Sequence, residues 1–187
     1  MPADPATAAL LVVDVQQAFA DAAYWGRRDN PACEANIAAL LAAWRAAGGP
    51  VVVVRHDSTE PGSPLRPGAP GNALQEIVAG TPDLLVAKHV NSAFLGEPDL
   101  DAWLRARAIT SLAICGITTN HCCETTARMA GNLGYDTTFV IDATHTFDRR
   151  GPDGQTFPAE LISRVTAANL DGEFATVVST AALLSGA

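Results

Sequence analysis

The sequence predicts an α/β fold, a three-layer sandwich built around a six-stranded parallel sheet. Six short apolar runs are rich in Val, Leu and Ile, as strands buried on both faces of a parallel sheet are. Helical patterns lie between these runs, so that strand and helix alternate along the chain. This alternation favours right-handed crossovers, which place helices on both faces of the sheet.

Each predicted strand is a short apolar run of four to six residues. The runs are residues 8–13, 51–54, 84–87, 112–115, 137–141 and 174–178. A polar residue or a glycine follows each of the first four runs, and such residues are typical of the place where a buried strand leaves the core.

Four helices are predicted from apolar residues at helical spacing. One pattern precedes Gly48, one follows Pro98, one precedes Gly134 and one follows Pro158, which are typical positions for helix ends and starts. The repeating residues are Ile37, Leu40, Leu41 and Trp44; Leu100, Trp103 and Leu104; Ala127, Ala130 and Leu133; and Leu161, Ile162, Val165 and Ala168.

Two longer segments, residues 57–72 and 146–156, are predicted to be loops. The first contains four prolines and three glycines, and the second contains the turn Pro152-Asp153-Gly154. A loop of this length in a compact domain is typical both of a cover over a site and of a solvated connection, so the pattern leaves both interpretations open.

Length, composition and charge limit the classes of function. A chain of 187 residues is predicted to form one domain, residues 1–187. Its net charge of -8 opposes binding to nucleic acid or to an anionic membrane. No apolar run approaches the roughly 20 residues of a membrane span, and no basic segment precedes the first run as in a signal peptide. We therefore expect a cytoplasmic protein, with its four cysteines reduced.

Three reactive side chains follow the ends of predicted strands. Asp14 follows the first strand, Lys88 follows the third, and Cys122 lies just after the fourth, where a helix begins. The carboxyl ends of parallel strands meet at one edge of the sheet, so an acid, a base and a thiol are predicted to converge there. A helix N-terminus and a nearby lysine stabilise a thiolate, which predicts Cys122 as a nucleophile. Cys123 is expected to face the core or a neighbouring helix.

The motifs around these residues resemble those of the isochorismatase-like cysteine hydrolases. The resemblance spans residues 8–180, and its separate motifs occur in the family's order. The matching segments are residues 11–16 (Leu-Val-Val-Asp-Val-Gln) with Phe19; Lys88 with residues 91–94 (Asn-Ser-Ala-Phe); residues 116–124 (Gly-Ile-Thr-Thr-Asn-His-Cys-Cys-Glu) with Thr126 and Ala127; Gly134 with Tyr135; and Asp142 with Ala143.

The resemblance implies the isochorismatase-like hydrolase fold, which is Rossmann-like, and a catalytic triad of Cys122, Asp14 and Lys88. It also implies a non-proline cis peptide between Ile117 and Thr118. The backbone N–H groups of Thr118 and Cys122 would then form an oxyanion hole, which stabilises the charge that develops as a thiolate attacks a carbonyl.

The resemblance extends to the substrate pocket and to partners. It implies that Phe19, Trp25, Asn91 and Phe94 bind substrate. We add His121 to this set of substrate-binding residues, because its imidazole lies beside the nucleophile in the sequence. The expected partner is a small-molecule substrate. Family resemblance further implies a homo-oligomer, either a dimer or a tetramer.

No metal and no other cofactor is expected. Nicotinamidases of the family bind a metal through an Asp-x-His motif after the second strand, but residues 55–58 here read Arg-His-Asp-Ser. His56 and Asp57 could still bind zinc in principle. Two adjacent ligands without a clear third are, however, more typical of a surface or hydrogen-bonded pair.

The implied reaction cleaves the C–N bond of a small amide, carbamoyl or ureido compound through a thioester on Cys122. Asp14 would move protons rather than hold the fold together. Two alternatives remain, an isochorismatase-type hydrolase of a small non-amide metabolite and a non-catalytic scaffold. A nucleotide-binding or redox module is disfavoured, because the chain has no G-x-G-x-x-G after the first strand, no Walker-type loop and no C-x-x-C.

Overall fold

A computed structural model, which describes residues 3–78, 80 and 82–185, confirms the predicted sheet. The strands are β1 (Ala9–Val13), β2 (Val51–His56), β3 (Leu84–Lys88), β4 (Ser111–Ile117), β5 (Asp136–His145), β6 (Arg149–Arg150), β7 (Thr156–Phe157) and β8 (Thr176–Val178). Six of them pair in parallel in the order β3-β2-β1-β4-β5-β8, and β6 and β7 form a separate antiparallel pair.

The four predicted helices are confirmed as α2 to α5. Two more, α1 and α6, were not predicted, and α1, with four residues, is too short to show a helical repeat. No helix within the described ranges is long and apolar enough to cross a membrane. The helices are α1 (Ala22–Trp25), α2 (Cys33–Ala47), α3 (Leu100–Arg105), α4 (Glu124–Asn132), α5 (Ala159–Leu170) and α6 (Thr180–Ser185).

The sheet separates two hydrophobic cores, which confirms the three-layer sandwich. β1 is completely buried, because Leu10 and Val12 point into one core while Leu11 and Val13 point into the other. Helices α2 and α6 cover the first core, and α3 and α4 cover the second. The apolar residues of β1 therefore place the end of this strand at the centre of the molecule.

Residues 146–156 differ from the prediction of a plain loop. Arg149 pairs with Phe157 and Arg150 with Thr156, so the segment folds back as a short antiparallel pair of strands. β5 also runs to His145, four residues beyond its predicted end. Both features depend on tertiary contacts, which the apolar pattern does not record. Residues 57–72 form a loop as predicted, with a single short helical turn at Pro70–Asn72.

Gly116 allows the ends of β1 and β4 to approach closely. Its φ is +129°, and a Cβ atom at this position would lie 2.0 Å from the carbonyl oxygen of Val13. Only glycine fits such a backbone without displacing its neighbour. This close approach brings the end of β4 beside Asp14.

We expect Gly116→Ala to lower the free energy of unfolding by about 3 kcal/mol or more, because the new methyl group overlaps backbone and the conformation is strained. Urea unfolding measures the change. Gly62→Ala is the matched control, since a Cβ there would meet no atom within 4 Å. Equal stability of the two variants would contradict the close approach.

Candidate active site

Asp14, Lys88 and Cys122 meet at the edge of the sheet where β1, β3 and β4 end. The side chains of Asp14 and Lys88 are completely buried, and Lys88 Nζ donates to Asp14 Oδ2 at 2.6 Å. The Cys122 sulfur lies within 4.8 Å of a carboxylate oxygen of Asp14. The structure thus brings together the three residues that the strand ends predicted.

Asp14 offers one carboxylate oxygen that is free of hydrogen bonds. Its backbone has a φ of +52°, and its N–H donates to the carbonyl of Val54 at 2.9 Å. Oδ2 is paired with Lys88, whereas buried Oδ1 has no hydrogen-bond partner among the described residues. A buried acceptor without a partner is costly in a structural role, but it is suited to receive a proton.

Lys88 is held as an ammonium ion at the base of the site. Burial lowers its pKa, but the carboxylate of Asp14 and the thiol of Cys122 outweigh burial and raise the pKa above its ordinary value. The Nζ atom also lies 3.0 Å from Nδ1 of His56. Lys88 therefore supplies a buried positive charge that is paired with the Asp14 carboxylate.

Cys122 differs from the prediction of a stabilised thiolate. It lies on a π-helical turn, Thr119–Cys123, that leads into α4. Burial raises the pKa of its thiol, Asp14 raises it further, and Lys88 only partly opposes them. The prediction was wrong because it counted the helix end and the lysine but neither burial nor the adjacent carboxylate. In the resting site Cys122 is a protonated thiol beside an ion pair.

The other cysteines lie away from this site. Cys33, Cys115 and Cys123 are completely buried, and burial raises the pKa of each thiol. Cys123 packs in the second core, in agreement with the sequence analysis. Cys122 is 8% exposed and faces a cavity. It is therefore the cysteine that a small molecule reaches most easily.

The cavity above Cys122 has a volume of about 140 Å³. This is close to the roughly 150 Å³ of a cavity that accommodates benzene, so only a small group fits beside the sulfur. The lining residues are Asp14, Phe19, Trp25, His56, Leu65, Asn91, Thr118, His121 and Cys122.

An aromatic cluster forms one wall of the cavity. The ring centroids of Phe19 and Trp25 lie 4.9 Å apart, and Phe147 stacks on Trp25 at 5.4 Å. Phe147 belongs to the segment 146–156, so the start of this segment supports the wall, whereas residues 149–150 and 152–156 are exposed. Leu65 brings the other long loop, residues 57–72, to the cavity as well.

Four of the five predicted substrate-binding residues line the cavity: Phe19, Trp25, Asn91 and His121. Phe94 does not. Its ring packs in the second core, with its centroid 5.7 Å from that of Tyr135. A short helical turn, Ala93–Leu95, carries Phe94 away from the site.

His56 lines the cavity although the sequence analysis did not predict it there. The predicted strand ended at residue 54, whereas β2 continues to His56 and carries its ring to the sheet edge. Both carboxylate oxygens of Asp57 accept hydrogen bonds from Arg55, at 2.8 and 2.9 Å, and one of them also accepts from Asn72 at 2.9 Å.

Asp14, His56 and Cys122 each place one possible metal-ligand atom within 4.8 Å of the other two. Their surroundings fit a metal poorly, because the Lys88 ammonium already contacts Asp14 at 2.6 Å and His56 at 3.0 Å. A second cation would be repelled by Lys88 and would compete for the same lone pairs.

The remaining histidines lie outside the cavity lining. His89 places Nδ1 2.6 Å from the backbone carbonyl oxygen of Asp57. His145 is completely buried at the end of β5, and burial lowers its pKa to about 4.

The peptide between Ile117 and Thr118 is cis, as the resemblance implied.

Comparison with known proteins agrees with this geometry. The Isochorismatase domain family matches residues 8–181. The isochorismatase family protein YrdC of Bacillus subtilis is 40% identical over 178 residues, which cover 95% of this chain and 94% of YrdC. The ureidoacrylate amidohydrolase RutB of Methylobacterium radiotolerans is 33% identical, over 97% of this chain and 80% of RutB.

A solved structure is equally similar. The crystal structure of a hydrolase of the isochorismatase family from Chromobacterium violaceum superposes with a TM-score of 0.92, at 40% identity, over 99% of this chain and 95% of that chain. The resemblance inferred from the motifs is therefore confirmed, and the chain belongs to the isochorismatase family of hydrolases.

Proposed function

We propose that this hydrolase cleaves the C–N bond of a small amide, carbamoyl or ureido compound through a thioester on Cys122. One observation carries the proposal. The Cys122 thiol faces a small cavity beside a buried carboxylate, and that carboxylate has one oxygen paired with Lys88 and one oxygen without a hydrogen-bond partner among the described residues.

The first half-reaction forms the thioester. Asp14 accepts the thiol proton of Cys122 as sulfur attacks the substrate carbonyl carbon, and the carbonyl oxygen becomes negatively charged. The backbone N–H groups of Thr118 and Cys122 stabilise this charge. Asp14 then gives its proton to the leaving nitrogen, so the C–N bond breaks and ammonia or an amine departs.

The second half-reaction releases the acid. Water loses a proton to Asp14 as its oxygen attacks the thioester carbon, and the C–S bond breaks. The proton returns from Asp14 to the Cys122 sulfur. A carboxylic acid leaves, or a carbamate where the substrate is a ureido compound. Lys88 keeps a positive charge beside Asp14 throughout, which favours the carboxylate between the two proton transfers.

The size of the cavity and a named relative support this class of substrate. About 140 Å³ admits a primary amide or a ureido group with a short acyl part. The relative RutB, at 33% identity, is named for the hydrolysis of ureidoacrylate. The aromatic wall of Phe19 and Trp25 then contacts the apolar part of the substrate.

We expect the purified protein to release ammonia from at least one member of a panel of small amides and ureido compounds. Iodoacetamide should abolish this activity by alkylating Cys122, because Cys122 borders the cavity whereas the other three cysteines are fully buried. Mass spectrometry locates the label. Cys122→Ser is the control, and it should lose both the activity and the label.

Two results would contradict the proposal. One is inactivity of the wild-type protein on the whole panel, and the other is unchanged activity of Cys122→Ser. Labelling of Cys123 before Cys122 would show that the nucleophile is misassigned.

Asp14→Asn should lower turnover by on the order of a hundredfold or more, because an amide neither accepts nor returns the proton. It should also destabilise the fold by about 3 kcal/mol or more, since it leaves the Lys88 ammonium buried without its counter-ion. This corrects the expectation from sequence that Asp14 has no structural part. The kcat of the folded fraction is measured well below the melting temperature.

Asp4→Asn is the matched control, because Asp4 is an exposed carboxylate that precedes β1. It should retain both turnover and stability. A folded Asp14→Asn protein with near wild-type kcat would remove Asp14 from the mechanism.

We expect activity to be independent of metal ions, because the Lys88 ammonium occupies the position from which a metal would reach Asp14 and His56. The measurement compares ammonia release before and after prolonged dialysis against a chelator. Activity that is lost on chelation and returns when zinc is added would contradict this prediction.

A further inference from the structure

We propose that His56 is a substrate-binding residue that donates a hydrogen bond from Nε2 to an acceptor atom next to the scissile carbonyl, and that Lys88 fixes the ring in the tautomer required. This inference rests on the proposed function and deepens it. It assigns to the end of β2 a role that neither the triad nor the oxyanion hole includes.

The backbone of His56 is held firmly at the cavity. Its N–H donates to Oε1 of Gln16 at 2.9 Å, and its carbonyl accepts from Nε2 of the same side chain at 3.0 Å. Asn72 also donates to this carbonyl, at 3.1 Å. Gln16 is completely buried, so its amide is a rigid clamp. A side chain whose backbone is held in this way loses little conformational freedom when it binds a substrate.

Lys88 determines which ring nitrogen of His56 carries the proton. Its Nζ lies 3.0 Å from Nδ1, and an ammonium group has donors but no acceptor. Nδ1 must therefore accept. Burial lowers the pKa of His56, and the charge of Lys88 lowers it further, so the ring is neutral near pH 7. A neutral imidazole whose Nδ1 accepts has its proton on Nε2.

Other groups near His56 leave this assignment unchanged. The carboxylate of Asp14 is already paired with Lys88, and that of Asp57 is paired with Arg55. His89 donates to the carbonyl oxygen of Asp57 and forms no hydrogen bond to the His56 ring. Among the described residues, none accepts a hydrogen bond from Nε2 of His56.

The ring faces the reacting sulfur. His56 lines the same cavity as Cys122, and one of its ring atoms lies within 4.8 Å of the sulfur. A substrate carbonyl attacked by Cys122 thus lies within reach of the imidazole. An N–H at this place favours substrates that present an oxygen or nitrogen acceptor beside the scissile bond.

The tautomer is tested without a substrate by nitrogen NMR of uniformly ¹⁵N-labelled protein. We expect Nδ1 of His56 to be unprotonated and Nε2 protonated between about pH 7 and about pH 8. His89 is the internal reference, because its Nδ1 faces a carbonyl oxygen and must carry the proton. The His56→Gln spectrum identifies the His56 signals. A proton on Nδ1 of His56 would overturn the proposal.

The donor role is tested with two variants that separate the ring nitrogens. Asn keeps a polar atom near the position of Nδ1 but has nothing at Nε2, whereas Gln places an amide N–H near Nε2. We expect His56→Asn to lower kcat/KM on the best amide of the panel by on the order of tenfold to a hundredfold. His56→Gln should lose clearly less.

The outcomes separate this inference from the proposed function. Suppose that the wild type hydrolyses amides. The donor role is then wrong, while the function stands, if His56→Asn is as active as the wild type. The same holds if His56→Asn is more active than His56→Gln. If the wild type hydrolyses no amide, the proposed function fails, and the donor role, which rests on that function, fails with it.

Discussion

The ion pair between Asp14 and Lys88 is the interaction on which the rest of the site depends. Both side chains are completely buried, and neither charge would be stable there without the other. The pair fixes the carboxylate beside the Cys122 sulfur and supplies a donor to His56. It also leaves little room for a metal. One contact of 2.6 Å thus positions both the proton acceptor and the ammonium group that sets the tautomer of a neighbouring ring.

The sheet brings together Asp14 and Lys88, which lie 74 positions apart in the chain. β1 and β3 do not pair directly, because β2 lies between them, and the long side chain of Lys88 reaches across the end of β2 to Asp14. Gly116 lets the end of β4 approach β1, which places the turn carrying Cys122 next to Asp14. Packing of two hydrophobic cores against these strands therefore provides the energy that holds two buried charges together.

Much of this arrangement is predictable from the sequence. Short runs rich in Val and Leu specify the buried strands, and the rule that parallel strands end at one edge brings Asp14, Lys88 and Cys122 together. The rest depends on tertiary distances. His56 was missed because β2 extends two residues beyond its apolar run, and Phe147 because its aromatic contacts join segments far apart in the chain. The charge of Cys122 was wrongly predicted because burial, which no local motif encodes, outweighs the helix end.

The most direct test is the ionisation of Cys122 in the resting enzyme. Thiolate absorbs in the ultraviolet, so the difference in absorbance between wild type and Cys122→Ser, followed against pH, reports this one group. We expect no thiolate at neutral pH and a signal that rises only above the ordinary thiol pKa of about 8.5. A thiolate signal already present at neutral pH would contradict it, because the proton would then have left Cys122 before any substrate arrived and Asp14 would not be needed to remove it.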